Sequence, residues 1–285
     1  MRVAAVTMAY NEPEYVPIWV RYYGGAVGRE HCYIIDHGTD DRSTDGLVGV
    51  NVVRIPRSPK DNVKMTRFIS VFVSSLLEWY DAVLCIDIDE IVIADPRVFP
   101  SLLDYIEKTS VPIVNAIGFD VWHVPEIEAG LELRDPVLWQ RHWMRFSSSM
   151  CKPVLTRRPT RWAPGFHSAD AKLTFDALYL FHLRYFDYDL ALRRLSRTRS
   201  MTWAHENAGS HQRLPDAEFH NLFTRGARMK RLSSIDVAPD SEYVTRYLAK
   251  VLSSEKEPKP GDYNLDLHIF GSELIQIPEY FANSV

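Results

Sequence analysis

The chain has 285 residues, 46% of them hydrophobic and 25% charged, with a formal net charge of −4. Those proportions exclude a disordered or collagen-like polymer and fit one large globular unit that needs no disulfide or metal staple. Three widely spaced cysteines, Cys32, Cys85 and Cys151, make neither a disulfide framework nor a zinc knuckle. Cys32 and Cys85 stand in apolar runs, where packed thiols belong.

The opening MRVAAVTMAY lacks the pattern of a signal peptide. Val3 to Met8 is a continuous apolar run, as in a strand buried on both faces. Asn11 is placed to cap a helix carrying Val16, Trp19, Val20 and Tyr23 at helical spacing. Cys32 to Ile35 reads as a second strand, ending in Asp36 and a loop of turn formers, HGTDDRSTDG. Val50 to Ile55 reads as a third. Asp61 then caps a long helix to Tyr80, with Phe68, Val71, Phe72, Ser75 and Leu76 along one side. Its apolar stretch, Phe68 to Leu77, is too short to span a bilayer. The expectation is a soluble cytoplasmic protein, peripheral to a membrane if its acceptor is lipid-linked. Ala82 to Ile86 is a fourth strand running straight into Asp87.

This β-α-β-α-β order predicts an α/β fold with a mostly parallel central sheet and helices on both faces. Ligands of such sheets bind beyond the carboxyl ends of the strands. Tyr10-Asn11-Glu12, Asp36 to Asp41 and Asp87 to Glu90 all follow strand ends and should meet at one edge. From about Val111 the pattern loosens and is richer in Trp, Arg and Pro. Trp122, Trp139, Trp143 and Trp162 fall there, and such rings can stack on sugars. Asp187 can cap a helix to Arg197, Pro239 can start another to Ser253, and Ser272 to Ile277 can form a last strand. The division expected is a core over about 1–200, with a nucleotide-binding half to about 120 and an acceptor half from 121. Residues 201–285 then form a helical and loop-rich extension packed on it.

Charge is unevenly spread. Residues 134–231 hold fifteen Arg and three Lys against eight acids, a net +10, leaving −14 on the rest. The basic stretch either meets an anionic partner or is neutralised by the acidic half of its own chain. No nucleic-acid-binding motif is present.

The sharpest chemical signal is VLCIDIDEIVI, an apolar strand delivering Asp87, Asp89 and Glu90. Strand alternation would put Asp87 and Asp89 on one side and Glu90 on the other. Carboxylates this close repel, and a hard divalent cation with phosphate ligands would relieve that. AVTMAYNEPEYVPIWVRYYGGAVG, YIIDHGTDDRSTDGL and CIDIDE together resemble a nucleotide-sugar glycosyltransferase of the GT-A fold, in the family 2-like group with Asn-Glu after strand one and Asp-x-Asp-Glu after strand four. The likeness covers about 120 residues and continues weakly through RHWMRFSSSMCKPVL, GFH and YLFHLRYFDYD.

The resemblance implies a nucleotide pocket lined by Asn11, Glu12, Asp36, Asp41 and Asp87, with Lys64 near the diphosphate. It implies a manganese or magnesium ion on Asp87 and Asp89, completed by a later histidine, His182 preferred over His167. Lys152 and Arg184 are candidates to add positive charge at the leaving diphosphate. The acceptor hydroxyl needs a base. Glu90, Asp120 and Glu126 are candidates, with Asp120 preferred, and direct displacement would invert the anomeric centre. The donor expected is a UDP-sugar, and the acceptor a polysaccharide or lipid-linked glycan. The loop HGTDDRSTDG departs from the family's Ser-x-Asp-based turn. Two rival readings stand: a haloacid-dehalogenase-type phosphatase with Asp87 as nucleophile, and a nucleotide-sugar-binding protein without catalysis. A nucleotidyltransferase would want a Gly-rich phosphate loop near the N-terminus, and none is present.

Overall fold

The computed structural model describes residues 1–206 and 209–282. In chain order the elements are β1 (Val3–Ala9), α1 (Tyr15–Val27), β2 (Cys32–Asp36), β3 (Asn51–Arg54), α2 (Asn62–Leu76), β4 (Ala82–Cys85), β5 (Glu90–Ala94), α3 (Leu102–Lys108), β6 (Ile113–Trp122) and α4 (Val137–Gln140). There follow β7 (Trp143–Phe146), β8 (Pro153–Thr156), β9 (Phe175–Tyr185), α5 (Tyr188–Ser200), α6 (Asp216–Ala227), β10 (Arg231–Leu232), α7 (Glu242–Ser253), β11 (Leu274–Gln276) and α8 (Glu279–Ala282).

The fold class is α/β, as the order of elements predicts. Strands β3, β2, β1 and β4 lie side by side in that order and are all parallel. Strand β1 is apolar but for Thr7 because both its faces are covered. Val3, Ala5 and Ala9 share a core with Val16, Trp19, Val20 and Tyr23 of α1. Ala4 and Val6 share another with Ile69 and Val73 of α2. The chain leaves β1 for β2 on one side and returns through α2 to β4 on the other. The switch point that forms ligand crevices therefore falls between the ends of β1 and β4. Beyond β4 the sheet continues through antiparallel β8 to β6, which also pairs antiparallel with β7 and parallel with β9. Strand β5 runs antiparallel to β9. The C-terminal strands β10 and β11 extend this sheet through β7, and α7 buries Tyr243, Val244, Tyr247 and Val251 in the main core.

Several local expectations shift. Asn11 does not cap α1. The helix begins after Glu14, which makes no capping bond, while Asn11 adopts left-handed backbone (φ 53°) and bonds the loop beyond β2. Asp61 does cap α2, accepting from the amides of Val63 and Lys64, but the helix stops at Leu76. Its buried face is Thr66, Ile69, Ser70 and Val73, whereas Phe68 and Val71 face outward. The hydroxyls of Thr66 and Ser70 bond back to the carbonyls of Asn62 and Thr66, so a face that looks polar in the sequence can be buried. Asp187 caps α5 as expected. Helix α7 starts at Glu242 behind a Ser241 cap rather than at Pro239, and the last strand is confined to Leu274–Gln276. All three cysteines are free and buried. Among the described residues, no helix is long and apolar enough to cross a membrane.

Candidate active site

The polar clusters after β1 and β2 bond to one another, and one or two residues from each of the three clusters reach a common cavity: Tyr10 and Glu12, His37, and Asp87 and Asp89. Asn11 donates to Asp40 Oδ1 (2.7 Å) and accepts from the Asp40 amide (3.0 Å), and the Glu12 amide donates to Ser43 Oγ (3.2 Å). Beyond the ends of β1 and β4 lies a cavity of about 230 Å³, lined by Tyr10, Glu12, Arg57, Lys60, Asp87, Asp89, Lys152, His167, His182, Arg184 and Arg194 among others.

Carboxylates and cations alternate around it. Residues 86–89 leave the strand, and the Glu90 amide turns back onto the Asp87 carbonyl (3.2 Å). A turn rather than strand alternation therefore separates the acids. Asp87 and Asp89 line the cavity, while Glu90 is buried behind them. Lys152, the residue before β8, bridges the two levels, 2.6 Å from Asp87 and 2.5 Å from Glu90. Burial raises the Glu90 carboxyl against the pull of Lys152. Burial would lower the Lys152 ammonium, but Asp87 and Glu90 more than offset it and raise it.

The second centre is Asp89. Strand β9 lies between β5 and β6, and its register sets His182 opposite Glu90 and beside Asp120. The His182 ring donates from Nδ1 to Asp120 Oδ1 (2.7 Å) and from Nε2 to Asp89 Oδ2 (3.2 Å). Burial would lower this imidazole, but the two carboxylates lift it to about 9. Arg194 of α5 donates to the same Asp89 oxygen and, through Nε and Nη2, to Glu12 Oε1 (3.0 and 2.9 Å). Burial alone would raise Asp89; Arg194 and His182 together hold it well below the usual carboxylate range. For Glu12 burial dominates, and its carboxyl is raised despite Arg194.

A divalent cation can be tested against this donor set. Among the described residues no three His, Cys, Asp or Glu side chains gather as a metal cage. Asp89 Oδ2 and His182 Nε2, however, are close enough to flank one ion, and Glu12 Oε2 is buried without a hydrogen-bond partner at the same cavity. A hard cation that takes only one or two protein groups plus substrate phosphates fits such a set.

The residues expected at the site divide into two groups. Glu12, Asp87, Asp89, Lys152, His167, His182 and Arg184 line the cavity. His167 donates from Nδ1 to the Ser149 carbonyl (2.7 Å), and the Arg184 guanidinium lies 5.4 Å from the Tyr185 ring centroid. Asn11, Asp36, Asp41, Lys64, Glu90 and Asp120 are not in the lining. Asp36 is fully buried and is consumed by the loop itself, accepting from the Thr39 amide (2.7 Å) and Arg54 (2.6 Å). Asp41 is exposed and accepts from the Ser43 amide. Asp120 stands behind His182. Glu126 is exposed.

Lys64, in the first turn of α2, is exposed outside the cavity, and the chain reaches the cavity before the helix begins, at Lys60. Its Nζ donates to Gln212 Oε1 (3.1 Å) and sits 4.8 Å from the Trp203 ring centroid. Burial pushes the Lys60 ammonium down to about 8. The tryptophans are not in the lining either: Trp122 and Trp162 are core, and the aromatic rings at the cavity are Tyr10, Phe166 and Phe219. Lys60, Arg57 and Arg194 were not singled out by sequence. Lys60 had a local signal, standing beside the Asp61 cap. Arg194 had only its place in an arginine-rich helix.

No protein-family model and no curated protein matches the sequence. Similar solved structures include the mannosyltransferase PcManGT from Pyrobaculum calidifontis in complex with GDP-Man and Mn2+ (11% identity, TM-score 0.29, 43% of this chain and 35% of that one). This chain thus spans about a third of that protein's length. Others are mannose-1-phosphate geranyltransferase from Thermus thermophilus (12%, 0.33, 97% and 73%) and CMP:2-keto-3-deoxy-manno-octonic acid synthetase complexed with CTP (12%, 0.29, 78% and 86%). At such scores these likenesses carry no argument about activity.

Proposed function

We propose that the cavity is the donor site of a glycosyltransferase that moves a sugar from a nucleoside diphosphate to an acceptor hydroxyl. One observation carries this reading: Asp87 and Asp89 meet a wall of cations, Lys60, Arg57, Lys152 and Arg194, at the switch point of the parallel strands. Carboxylates alone would repel a diphosphate, and cations alone would hold any anion. Their combination suits a phosphate group bridged to protein through a cation.

Asp89 and His182 would hold a manganese or magnesium ion, with Asp87 beside them. The ion, when bound, would supply Lewis-acid stabilisation of charge on the departing diphosphate. Lys60 and Arg57 would bind the same phosphates directly. Asp120 would position His182 through its Nδ1–H, as carboxylates behind metal-binding imidazoles do, rather than take the acceptor proton. That proton would go to His167. Its ring is held at the cavity by the Nδ1–H bond to the Ser149 carbonyl. Gly165 (φ 74°) lies against this ring: its left-handed backbone favours glycine, and a Cβ there would meet the imidazole at 2.8 Å and push it aside. One displacement with one base gives inversion.

The phosphatase reading would use Asp87 as nucleophile, and the 36% exposure of that side chain beside Lys152 keeps it worth a control. The test is nucleotide release from a panel of UDP- and GDP-sugars with Mn2+, beside hydrolysis of p-nitrophenyl phosphate with Mg2+. Release from one sugar nucleotide, lost in Asp89→Ala, supports the transferase. Turnover of the phosphate ester alone, lost in Asp87→Asn, overturns it.

A further inference from the structure

Arg194 occupies the Asp89 oxygen that faces His182. Its Nη1 donates to Asp89 Oδ2, the atom that also faces His182 Nε2 at 3.2 Å. An ion seated between Asp89 and His182 would place positive charge against the guanidinium at that oxygen, and the two cannot share it without strong repulsion. The other side of the guanidinium is anchored independently. Nε and Nη2 both donate to Glu12 Oε1, and the group lies 4.4 Å from the Tyr15 ring centroid. The helix beneath it is pinned at both ends, by the Asp187 cap and by Arg197 on Glu14 (2.5 Å). Releasing Nη1 therefore needs only side-chain rotation about the Glu12 anchor. Arg194 already lines the cavity with Lys60, so the released Nη1 has the cavity to turn into.

We infer that Arg194 is a diphosphate-binding residue parked on Asp89: it neutralises that carboxylate in the substrate-free protein, and when a divalent cation takes Asp89 it turns its freed N–H groups to the nucleotide phosphates. This rests on the metal-dependent donor site proposed above. It makes cation and nucleotide binding mutually dependent. The ion bears the cost of displacing Arg194, and the phosphates offset it by accepting the displaced guanidinium. An arginine fork suits this second role, since it presents paired donors to phosphate.

The test is calorimetric titration of Mn2+ into the ligand-free protein, and of the preferred nucleotide at saturating Mn2+, on wild type, Arg194→Ala and Arg194→Lys. Thermal melts confirm that each variant is folded, and Arg194→Lys covers the case where the alanine variant is not, because it keeps a charge near Glu12. Expected is tighter Mn2+ binding without nucleotide in Arg194→Ala, by roughly tenfold, the size of a typical coupling between sites. Nucleotide affinity at saturating Mn2+ should fall by a similar factor. In Arg194→Lys both effects should be smaller and of the same sign. Mn2+ affinity unchanged or weakened in both variants, with wild type still binding Mn2+ and nucleotide, overturns the inference and leaves the donor site standing. No Mn2+ binding by wild type, with or without nucleotide, overturns both.

Discussion

Lys60 shows how one residue's surroundings set its chemistry. Burial costs its ammonium hydration, and Arg194 adds repulsion, so it loses its proton near pH 8 despite the attraction of Glu12, Asp87 and Asp89. A lysine is charged below its pKa. The anion-binding form is therefore present at pH 7 and lost as pH rises through about 8. Inorganic pyrophosphate should bind wild type more weakly at pH 8.5 than at pH 7, and Lys60→Met should bind weakly at both. Calorimetry reads the effect, and Lys60→Met, which keeps His182, separates the Lys60 contribution from that of the imidazole. A wild-type affinity flat across the window would contradict the assignment. At this scale the sequence was informative about residue types and less so about partners. CIDIDE displayed its acids because they interrupt an apolar run. Asp36 looked equally exposed to ligand, yet Arg54, eighteen residues on, and its own loop amide enclose it. Such pairings depend on the fold of the loop and leave no local trace.

Among the elements, α5 matters most to the site, because it carries Arg194 and Arg197 to Glu12 and Glu14 across the sheet. Its N-terminus is fixed by Asp187. One carboxylate oxygen caps the Leu190 amide (3.0 Å), and the other accepts from Arg141 (2.9 Å), which is completely buried. Asp187→Ala removes the cap and one of the carboxylates facing the buried Arg141 guanidinium, which keeps Glu128 and three backbone carbonyls; the expected loss is about 3 kcal/mol. Urea unfolding monitored by circular dichroism should show that drop in stability. A change under about 1 kcal/mol would mean that the pair does not hold the helix. The start of α5 was legible because Asp187 precedes a helical pattern. The buried face of α2 was not, because Thr66 and Ser70 hide their hydroxyls within the helix while Phe68 and Val71 remain outside. Hydropathy sees residue type and is blind to that internal bonding.

Across the whole molecule, the charge asymmetry has a partly internal answer. Arg193, Arg194 and Arg197 from the basic stretch bind Glu12, Glu14 and Asp89 from the acidic one. The sign pattern noted in the sequence thus helps dock β9–α5 onto the N-terminal strands. The parallel order β3-β2-β1-β4 was legible because continuous apolar strands alternate with helices. The antiparallel run through β8, β6 and β7 was not, because its strands are short or bent and their partners lie far apart in the chain. These halves meet at Asp89, where Arg194 and His182 reach the strand-end carboxylates. Calorimetric titration of UDP and of GDP, each with and without Mn2+, on wild type and Asp89→Ala, decides whether this place is a metal-dependent nucleotide site. Binding of one nucleotide that requires Mn2+ in wild type and vanishes in Asp89→Ala is the predicted result. Failure of both nucleotides to bind wild type under either condition would contradict it.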